Sequence, residues 1–278
     1  MTMSEPLDRN PQAKEMADES MVRTLAAQAE MIWPQELPLF ERYELTGPIK
    51  VLDVGCGTGE ITQRLADLYA EAALVGVDIV EHHLDEARRR YADYGDRLRF
   101  ECGDAFNLSF PDGHFDLVVC RHMIQSVPDQ QAVVRELLRV LTSGGRLHLI
   151  AEDYHMLGFH PGPADEPDPD VFWREGPVAF GQAVGADLRI GRRIFPMLRA
   201  EGASDIRVDY ITVDTLRVDR GTFVEMMVAW RDGFAEGITQ HTELTRDEVV
   251  AHFDAMIATL KDPERYSVWF LPVWSCRR

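Results

Sequence analysis

The chain has 278 residues, of which 45% are hydrophobic, and a net charge of −18 from 47 acidic and 29 basic residues. This length and hydrophobic content can support the full core of a large α/β domain. The acidic excess argues against a nucleic acid or an acidic membrane surface as partner, and no apolar run of ~18 residues is present to span a membrane.

The N-terminus and the cysteines indicate the compartment. Residues 1–20 are polar and acidic and lack the apolar segment of a signal peptide. The four cysteines, Cys56, Cys102, Cys120 and Cys276, show no C-x-x-C spacing. They are typical of reduced thiols rather than of a disulfide framework or a zinc site. We therefore expect a cytoplasmic protein.

In chain order, the first predicted element is a helix over residues 12–32. It has few glycines and recurring apolar residues. Proline lacks the N–H of a helical hydrogen bond, so Pro34 is expected to end this helix.

The next element is the apolar strand Val51–Val54, which runs into a turn with glycines at 55, 57 and 59 and then into a helix pattern. Glycine tolerates positive φ and lets a ligand approach the backbone. The N–H groups of a helix start favour an anionic group there. The spacing is G-x-G-x-G, and Glu60 stands where a dinucleotide-binding turn has its third glycine. The turn therefore predicts a ligand other than a dinucleotide.

Acidic residues follow the second and third predicted strands. The strand at 73–77 ends in Asp78, a position in a βαβ unit from which a carboxylate can accept ribose hydroxyls. The strand at 98–102 leads into Asp104 and Ala105. A fourth strand follows the turn at 111–113, and a fifth follows the Gly144-Gly145 turn.

These five ordered motifs, over residues 49–153, resemble those of the class I S-adenosylmethionine-dependent methyltransferases that act on small molecules. The resemblance implies that S-adenosylmethionine is the cofactor. It also implies residues for the methionine part, the ribose, the adenine and the closing edge of the site. These residues are, in chain order, Asp53, Gly55, Cys56, Gly57, Gly59, Asp78, Ile79, Asp104, Ala105, Cys120 and Arg121.

The fold class implied is Rossmann-like α/β: a doubly wound seven-stranded sheet in the order 3-2-1-4-5-7-6, with the last strand antiparallel. Alternation at 204–215 and the apolar segment at 266–276 predict the sixth and seventh strands. Two helices are predicted between them, at 220–240 and 246–261.

The same patterns indicate the domain organisation. We expect residues 1–45 to form an N-terminal helical cap. Residues 46–278 should form the methyltransferase domain, with a helical lid inserted at about 216–263.

Two groups of side chains lie on these predicted caps, and each has two interpretations. In the family, a helix before the first strand commonly folds over the cofactor. The N-terminal group therefore either roofs the site or packs on the outside; its members are Met21, Arg23, Trp33, Phe40 and Tyr43. The second group either lines a substrate pocket or forms helix core; its members are Phe223, Met226, Met227, Trp230 and Phe234.

Candidate catalytic residues lie where the fourth and fifth strands end. His122 follows the fourth strand, and Glu152 and Asp153 end the fifth, where alternation lets only one side chain face the pocket comfortably. His155 lies in the proline-rich loop that follows. An alternative joins Asp153, His155 and His160 as a two-histidine, one-carboxylate metal site, although no resident metal is the favoured reading.

The predicted function is methyl transfer to a nitrogen, oxygen or carbon of a small metabolite, with a homodimer as one possible assembly. Two alternatives remain open at this stage. One is a protein or peptide side-chain methyltransferase, which a wide acidic groove would favour. The other is a cofactor-binding module without catalysis.

Overall fold

The computed structural model describes Asn10, residues 19–160 and residues 168–278. The strands are β1 Lys50–Val54, β2 Ala73–Asp78, β3 Leu98–Cys102, β4 Phe115–Arg121, β5 Leu141–Ile150, β6 Leu157–Phe159, β7 Ser204–Asp214 and β8 Ser267–Arg277. The α-helices are α1 Glu19–Glu41, α2 Glu60–Leu68, α3 Glu81–Arg90, α4 Gln130–Val140, α5 Pro169–Trp173, α6 Ala179–Ala183, α7 Ile194–Ala200, α8 Arg220–His241 and α9 Arg246–Lys261. None of these helices is long and apolar enough to cross a membrane.

The sheet has the order β3-β2-β1-β4-β5-β8, with β7 paired along the outer edge of β8. β8 runs antiparallel to both neighbours, whereas β1 to β5 are parallel. The predicted strand order is therefore confirmed. The short strand β6, which was not predicted, pairs with β8 beyond the end of β5. Its three residues are too few to show alternation, and it forms because β8 is longer than the part of β5 that faces it.

Alternating side chains of the central strands pack into two separate cores, one on each face of the sheet. Leu52 and Val54 of β1 belong to a core completed by α4 and α7. Val51 faces the other way, into a core completed by α1, α2 and α3. Successive residues of a strand point to opposite faces, so a strand buried on both sides is apolar throughout.

The first helix differs from its prediction. Residues 12–18 lie outside the described residues, but α1 continues through both Pro34 and Pro38 to Glu41. A proline inside a helix costs about 3 kcal/mol. Burial outweighs this cost here, because Met31, Ile32 and Phe40 of α1 are in the core. The expectation that Pro34 ends the helix was wrong.

The helices α8 and α9 lie where the two helices after β7 were predicted. Asp219 caps α8 by accepting a hydrogen bond from the Thr222 backbone N–H at 2.9 Å. Thr245 and Glu248 form a reciprocal capping box at the start of α9. Both helices contribute to a third core, which also contains residues of α1, α5 and β8.

Candidate active site

The glycine turn after β1 adopts a conformation that only glycine tolerates well. Gly55, Gly57 and Gly59 have φ values of 74°, 54° and 81°. A Cβ atom at Gly55 would lie 2.9 Å from the Met123 Cβ. The Gly55 N–H donates to the Val77 carbonyl at 2.8 Å, which holds the turn against β2. This leaves Gly55, Cys56 and Gly57 lining a cavity at the carboxyl edge of the sheet.

Asp78 ends β2 beside this turn. Its carboxylate accepts hydrogen bonds from the Gly57 N–H at 2.8 Å and the Val80 N–H at 2.9 Å. Ile79 follows and is 41% exposed, which is high for a large apolar side chain at a cavity wall. The turn from Gly55 to Thr58 and the segment from Asp78 to Val80, together with Asp53 and Arg121, form what we call the glycine-turn end of the cavity.

Two buried charges complete the glycine-turn end. Asp53 accepts a hydrogen bond from the Thr62 hydroxyl at 2.7 Å, and burial raises the pKa of its carboxyl to about 6. The Arg121 Nε donates to Glu36 Oε1 at 2.8 Å, but Arg121 Nη2 is buried with no hydrogen-bond partner among the described residues. Because unpaired buried donors are rare and costly, Arg121 Nη2 is a candidate contact for an anionic ligand group.

Arg121 is held by a polar network that α1 carries into the core. Glu36, at 0% exposure, also hydrogen-bonds His148 Nε2 at 2.9 Å, and His148 Nδ1 lies 2.8 Å from the Tyr43 hydroxyl. Burial raises the pKa of Glu36, but the charge of Arg121 and the hydrogen bond with His148 outweigh burial, so the net shift is downward. Glu36 is therefore a carboxylate that fixes one face of Arg121.

His122 and Glu152 form a buried pair that lines the same cavity. The His122 Nδ1 lies 2.5 Å from Glu152 Oε1, and the side chains are 9% and 1% exposed. His122 has φ 52°, a left-handed conformation that costs a non-glycine residue about 1 kcal/mol or more. In the neutral tautomer in which His122 Nδ1–H donates to Glu152 Oε1, Nε2 is a hydrogen-bond acceptor.

Close backbone packing fixes the position of Glu152. The Gly191 N–H donates to the Glu152 carbonyl at 2.9 Å. A Cβ atom at Gly191 would lie 2.5 Å from the Ala151 carbonyl oxygen, so only glycine fits there. Next to Glu152, burial and the Glu152 carboxylate hold the pKa of Tyr154 well above its ordinary value.

The fifth strand was predicted to end at Glu152 and Asp153, but β5 ends at Ile150 and both carboxylates follow it; Glu152 lines the cavity and Asp153 does not. Asp153 is fully buried and accepts hydrogen bonds from Arg192 Nε at 2.5 Å and Nη2 at 2.9 Å. His155 and His160 are exposed. Within residues 19–160 and 168–278, no group of three His, Cys, Asp or Glu side chains is placed to hold a metal ion.

Aromatic side chains line a second part of the cavity, which we call the aromatic chamber. Its walls are Tyr154, Trp173, Phe180, Trp230, Phe234 and Phe253. The Tyr154 and Trp230 rings stack at 5.5 Å, and Trp173 meets both edge-on at 5.3 and 5.9 Å. Of the predicted stripe on α8, Trp230 and Phe234 line the chamber, whereas Phe223, Met226 and Met227 are buried in core. The stripe is therefore divided between cavity wall and core, and a contact of Trp230 or Phe234 with a substrate stays a prediction.

Several predicted site residues do not line the cavity. They are Gly59, Asp104, Ala105, Cys120, Asp153 and His155. Cys120 is buried in the core, because it alternates with Arg121 on β4. The Gly103 N–H bonds the Asp78 carbonyl at 3.0 Å, which places Asp104 and Ala105 at the same sheet edge. A contact of Asp104 and Ala105 with adenine stays a prediction.

Helix α1 contributes to the cavity through residues that the sequence reading missed. Thr24, Leu25 and Gln28 line it, whereas Phe40 and Tyr43 pack around His148. The Met21 side chain lies outside the described residues. On the β4 side, Gln125 lines the cavity and was also missed. The helical periodicity of α1 predicts which of its residues share a buried face. It does not predict which part of the molecule that face contacts.

Comparison with known proteins gives three findings. Residues 51–145 match a family described as "Methyltransferase domain". Over 103 residues the chain is 40% identical to a demethylmenaquinone methyltransferase of Deinococcus radiodurans, covering 37% of this chain and 43% of the relative. A 27-O-demethylrifamycin SV methyltransferase of Amycolatopsis mediterranei is 39% identical over 102 residues, covering 36% of this chain and 37% of the relative. The matches thus span less than half the length of these curated relatives.

A solved structure extends the likeness in fold. Phosphoethanolamine N-methyltransferase 2 of Haemonchus contortus, in complex with S-adenosyl-L-methionine, superposes with a TM-score of 0.57 at 18% identity, covering 96% of this chain and 60% of that one. The sheet order and the glycine turn define a class I methyltransferase fold. Residues 51–145 therefore contain a methyltransferase domain, as the sequence motifs predicted.

Proposed function

We propose that this protein is an enzyme that transfers a methyl group from S-adenosylmethionine to a nitrogen, oxygen or carbon of a small metabolite. The observation that carries the proposal is the cavity itself. It is lined both by the glycine-turn end and by the aromatic chamber, and His122 and Glu152 adjoin the two along the chain: His122 follows Arg121, and Glu152 lies two residues before Tyr154. A cofactor site and an acceptor site must share such a junction, because the reacting atoms have to lie in line.

The residues at the glycine-turn end fit the cofactor. Asp78 can accept the ribose hydroxyls while keeping its bonds to the turn, because each carboxylate oxygen accepts more than one hydrogen bond. Exposed Ile79 offers an apolar surface for adenine. Arg121 Nη2 is an unpaired donor for the carboxylate of the methionine part, and Asp53 is an acid within reach of the same end of the cavity.

The protein's own residues need only accept a proton, orient the groups that react and exclude water. Bound S-adenosylmethionine supplies an electrophilic methyl group on a sulfonium centre. His122 Nε2 accepts the proton that a protonated acceptor must lose, and Glu152 keeps the imidazole oriented and stabilises its positive charge. The aromatic walls exclude water from the junction. A chamber walled by six aromatic side chains suits a small molecule better than a peptide chain.

Binding of S-adenosylhomocysteine by calorimetry tests this proposal. Asp78→Ala should weaken binding by about tenfold or more, since hydrogen bonds to a charged group contribute about 1.5–3 kcal/mol. Asp78→Asn keeps the size of the side chain and one of the two acceptors that the turn uses, so it should disturb the turn less than Asp78→Ala. Asp85→Ala on α3 is the matched control, because its exposed carboxylate pairs only with surface Arg88. Wild-type protein that binds no S-adenosylhomocysteine would refute the proposed cofactor.

A further inference from the structure

The aromatic chamber contains polar atoms that the protein itself leaves unsatisfied. His122 Nε2, Gln125 Oε1, Glu152 Oε2 and Trp173 Nε1 are buried and have no hydrogen-bond partner within the described part of the chain. All four residues line the cavity. A buried polar group without a partner costs about 1–3 kcal/mol, so these atoms outline the polar groups of the missing ligand.

Trp173 restricts the ligand more than the other three residues do. The indole N–H is a donor only, so it needs an acceptor from the ligand. The Trp173 side chain is 2% exposed and held edge-on against Tyr154 and Trp230. Its N–H therefore has a fixed direction and no route to bulk solvent. A purely cationic ammonium ligand has no acceptor atom and would leave this donor unpaired.

The charges around the chamber argue against an anionic acceptor. Among the residues that the structure describes, no lysine or arginine lines the chamber, and Arg121, which lines the cavity, is paired with Glu36. Glu152 adds a negative charge at the junction. Moving a phosphate or carboxylate into this space would require desolvation without a compensating partner. A neutral ring compound instead buries apolar area against six aromatic walls.

We infer that the methyl acceptor is a neutral, largely apolar ring compound with two oxygen functions. A hydroxyl donates to His122 Nε2 and is the methylated group, and a carbonyl or ether oxygen accepts from the Trp173 N–H. In the transfer step the hydroxyl oxygen forms a bond to the methyl carbon as the carbon–sulfur bond breaks. The hydroxyl proton passes to His122 Nε2. This inference rests on the proposed function and names its substrate class.

The test uses protein saturated with S-adenosylhomocysteine and four related probes, with binding followed by quenching of tryptophan fluorescence. The first probe is a tetralone with a phenolic hydroxyl on its aromatic ring. Tetrahydronaphthol lacks the ketone, tetralone lacks the hydroxyl, and aminotetralin is cationic. We expect the hydroxytetralone to bind most tightly. Tighter binding of aminotetralin, or no binding of any probe to the saturated protein, would overturn the inferred class while the proposed cofactor stands.

Trp173→Phe is the sharpest variant, because it keeps an aromatic ring and removes the N–H. It should weaken hydroxytetralone binding about three- to tenfold, the range of one net hydrogen bond, and leave tetrahydronaphthol unchanged. An equal loss for both probes would mean that Trp173 only shapes the chamber, and would overturn its role as a donor. Trp274→Phe is the control, since its Nε1 already donates to the Gly191 carbonyl at 3.0 Å outside the cavity.

Discussion

The two ends of the cavity are built in different ways. The glycine-turn end comes largely from one continuous stretch, β1 to β2, with backbone N–H groups and carboxylates as its working parts. The aromatic chamber gathers Tyr154, Trp173, Trp230 and Phe253 from distant elements, with side chains as its working parts. A site made of local backbone geometry is shared by a family, whereas a site assembled from distant side chains can vary with each acceptor.

The largest effect should come from the junction between the two ends. His122→Asn removes the imidazole but suits the left-handed φ at this position, because asparagine tolerates that conformation. If His122 is the base, methylation of the hydroxytetralone should fall about 10²–10⁴-fold, while S-adenosylhomocysteine affinity stays unchanged. Radiolabelled methyl transfer and calorimetry measure the two quantities.

The control for this variant lies at the opposite end of the same strand. His114→Asn changes a histidine that precedes β4 and stacks near Phe110, away from the cavity. Its transfer rate should match the wild type. If His122→Asn retained the full rate of transfer, His122 would have a structural role only. The two ends of the cavity would then differ in shape but not in catalytic chemistry.

Substitution of Arg121 should have a smaller effect than substitution of His122. It tests whether the Arg121 side chain, as well as the backbone of the glycine turn, binds the cofactor. Arg121→Gln should weaken S-adenosylhomocysteine binding about tenfold and leave methylthioadenosine, which lacks the amino-acid part, unchanged. Breaking a buried ion pair also leaves Glu36 without its main partner. The double variant Arg121→Gln, Glu36→Gln removes both charges. It therefore measures the loss of the arginine without leaving a buried, unpaired carboxylate. Equal losses for both ligands would contradict the assigned contact.

The pH dependence of cofactor binding sharpens the comparison further. The pKa of Asp53 is raised to about 6, so this acid is protonated as the pH falls below that value. Affinity for S-adenosylhomocysteine, whose amino group is cationic, should drop several-fold between pH 7.5 and pH 5. Asp53→Asn, which keeps an acceptor for Thr62, should abolish the change. An unaltered pH profile in this variant would assign the dependence to another group.

The same residue has the opposite effect on folding. A carboxyl whose pKa is raised in the folded state contributes its stability below the unfolded pKa of 3.8, and that contribution is lost as the pH rises through about 6. Asp53 is thus kept at a cost in folding stability at neutral pH.

The two ends of the cavity also differ in how much of them could be predicted from the sequence. The glycine turn, Asp78 and the strand order were predictable, because spacing along the chain specifies them. Alternation on β5 predicted that one of Glu152 and Asp153 would face the cavity. Which one does so depends on Arg192 and on Gly191, which approach from a separate segment. Tertiary packing decides which of the two carboxylates faces the cavity, so no local sequence pattern could predict it.

Helix α1 gives the clearest example of this limit. Its prolines predicted an early end, yet its burial in two cores keeps it helical to Glu41. One helix then supplies Gln28 to the cavity and Glu36 to Arg121. The sequence shows an amphipathic helix, but its partners come from distant segments: Arg121 is 85 residues from Glu36, and Thr212 is 177 residues from Gln35.

The smallest expected effect also lies on α1 and separates stability from binding. The Gln35 side-chain amide donates to the Thr212 carbonyl at 2.7 Å and accepts from the Thr212 N–H at 3.1 Å, which closes part of the exposed edge of β7. Gln35→Ala should lower the free energy of unfolding by about 1–2 kcal/mol, as measured by urea denaturation. Gln240→Ala, at an exposed site on α8, should change it little. Because Gln35 does not line the cavity, ligand affinities should remain at wild-type values. A selective loss of S-adenosylhomocysteine binding would contradict this expectation and would show that the β7 edge and the glycine-turn end are coupled through α1.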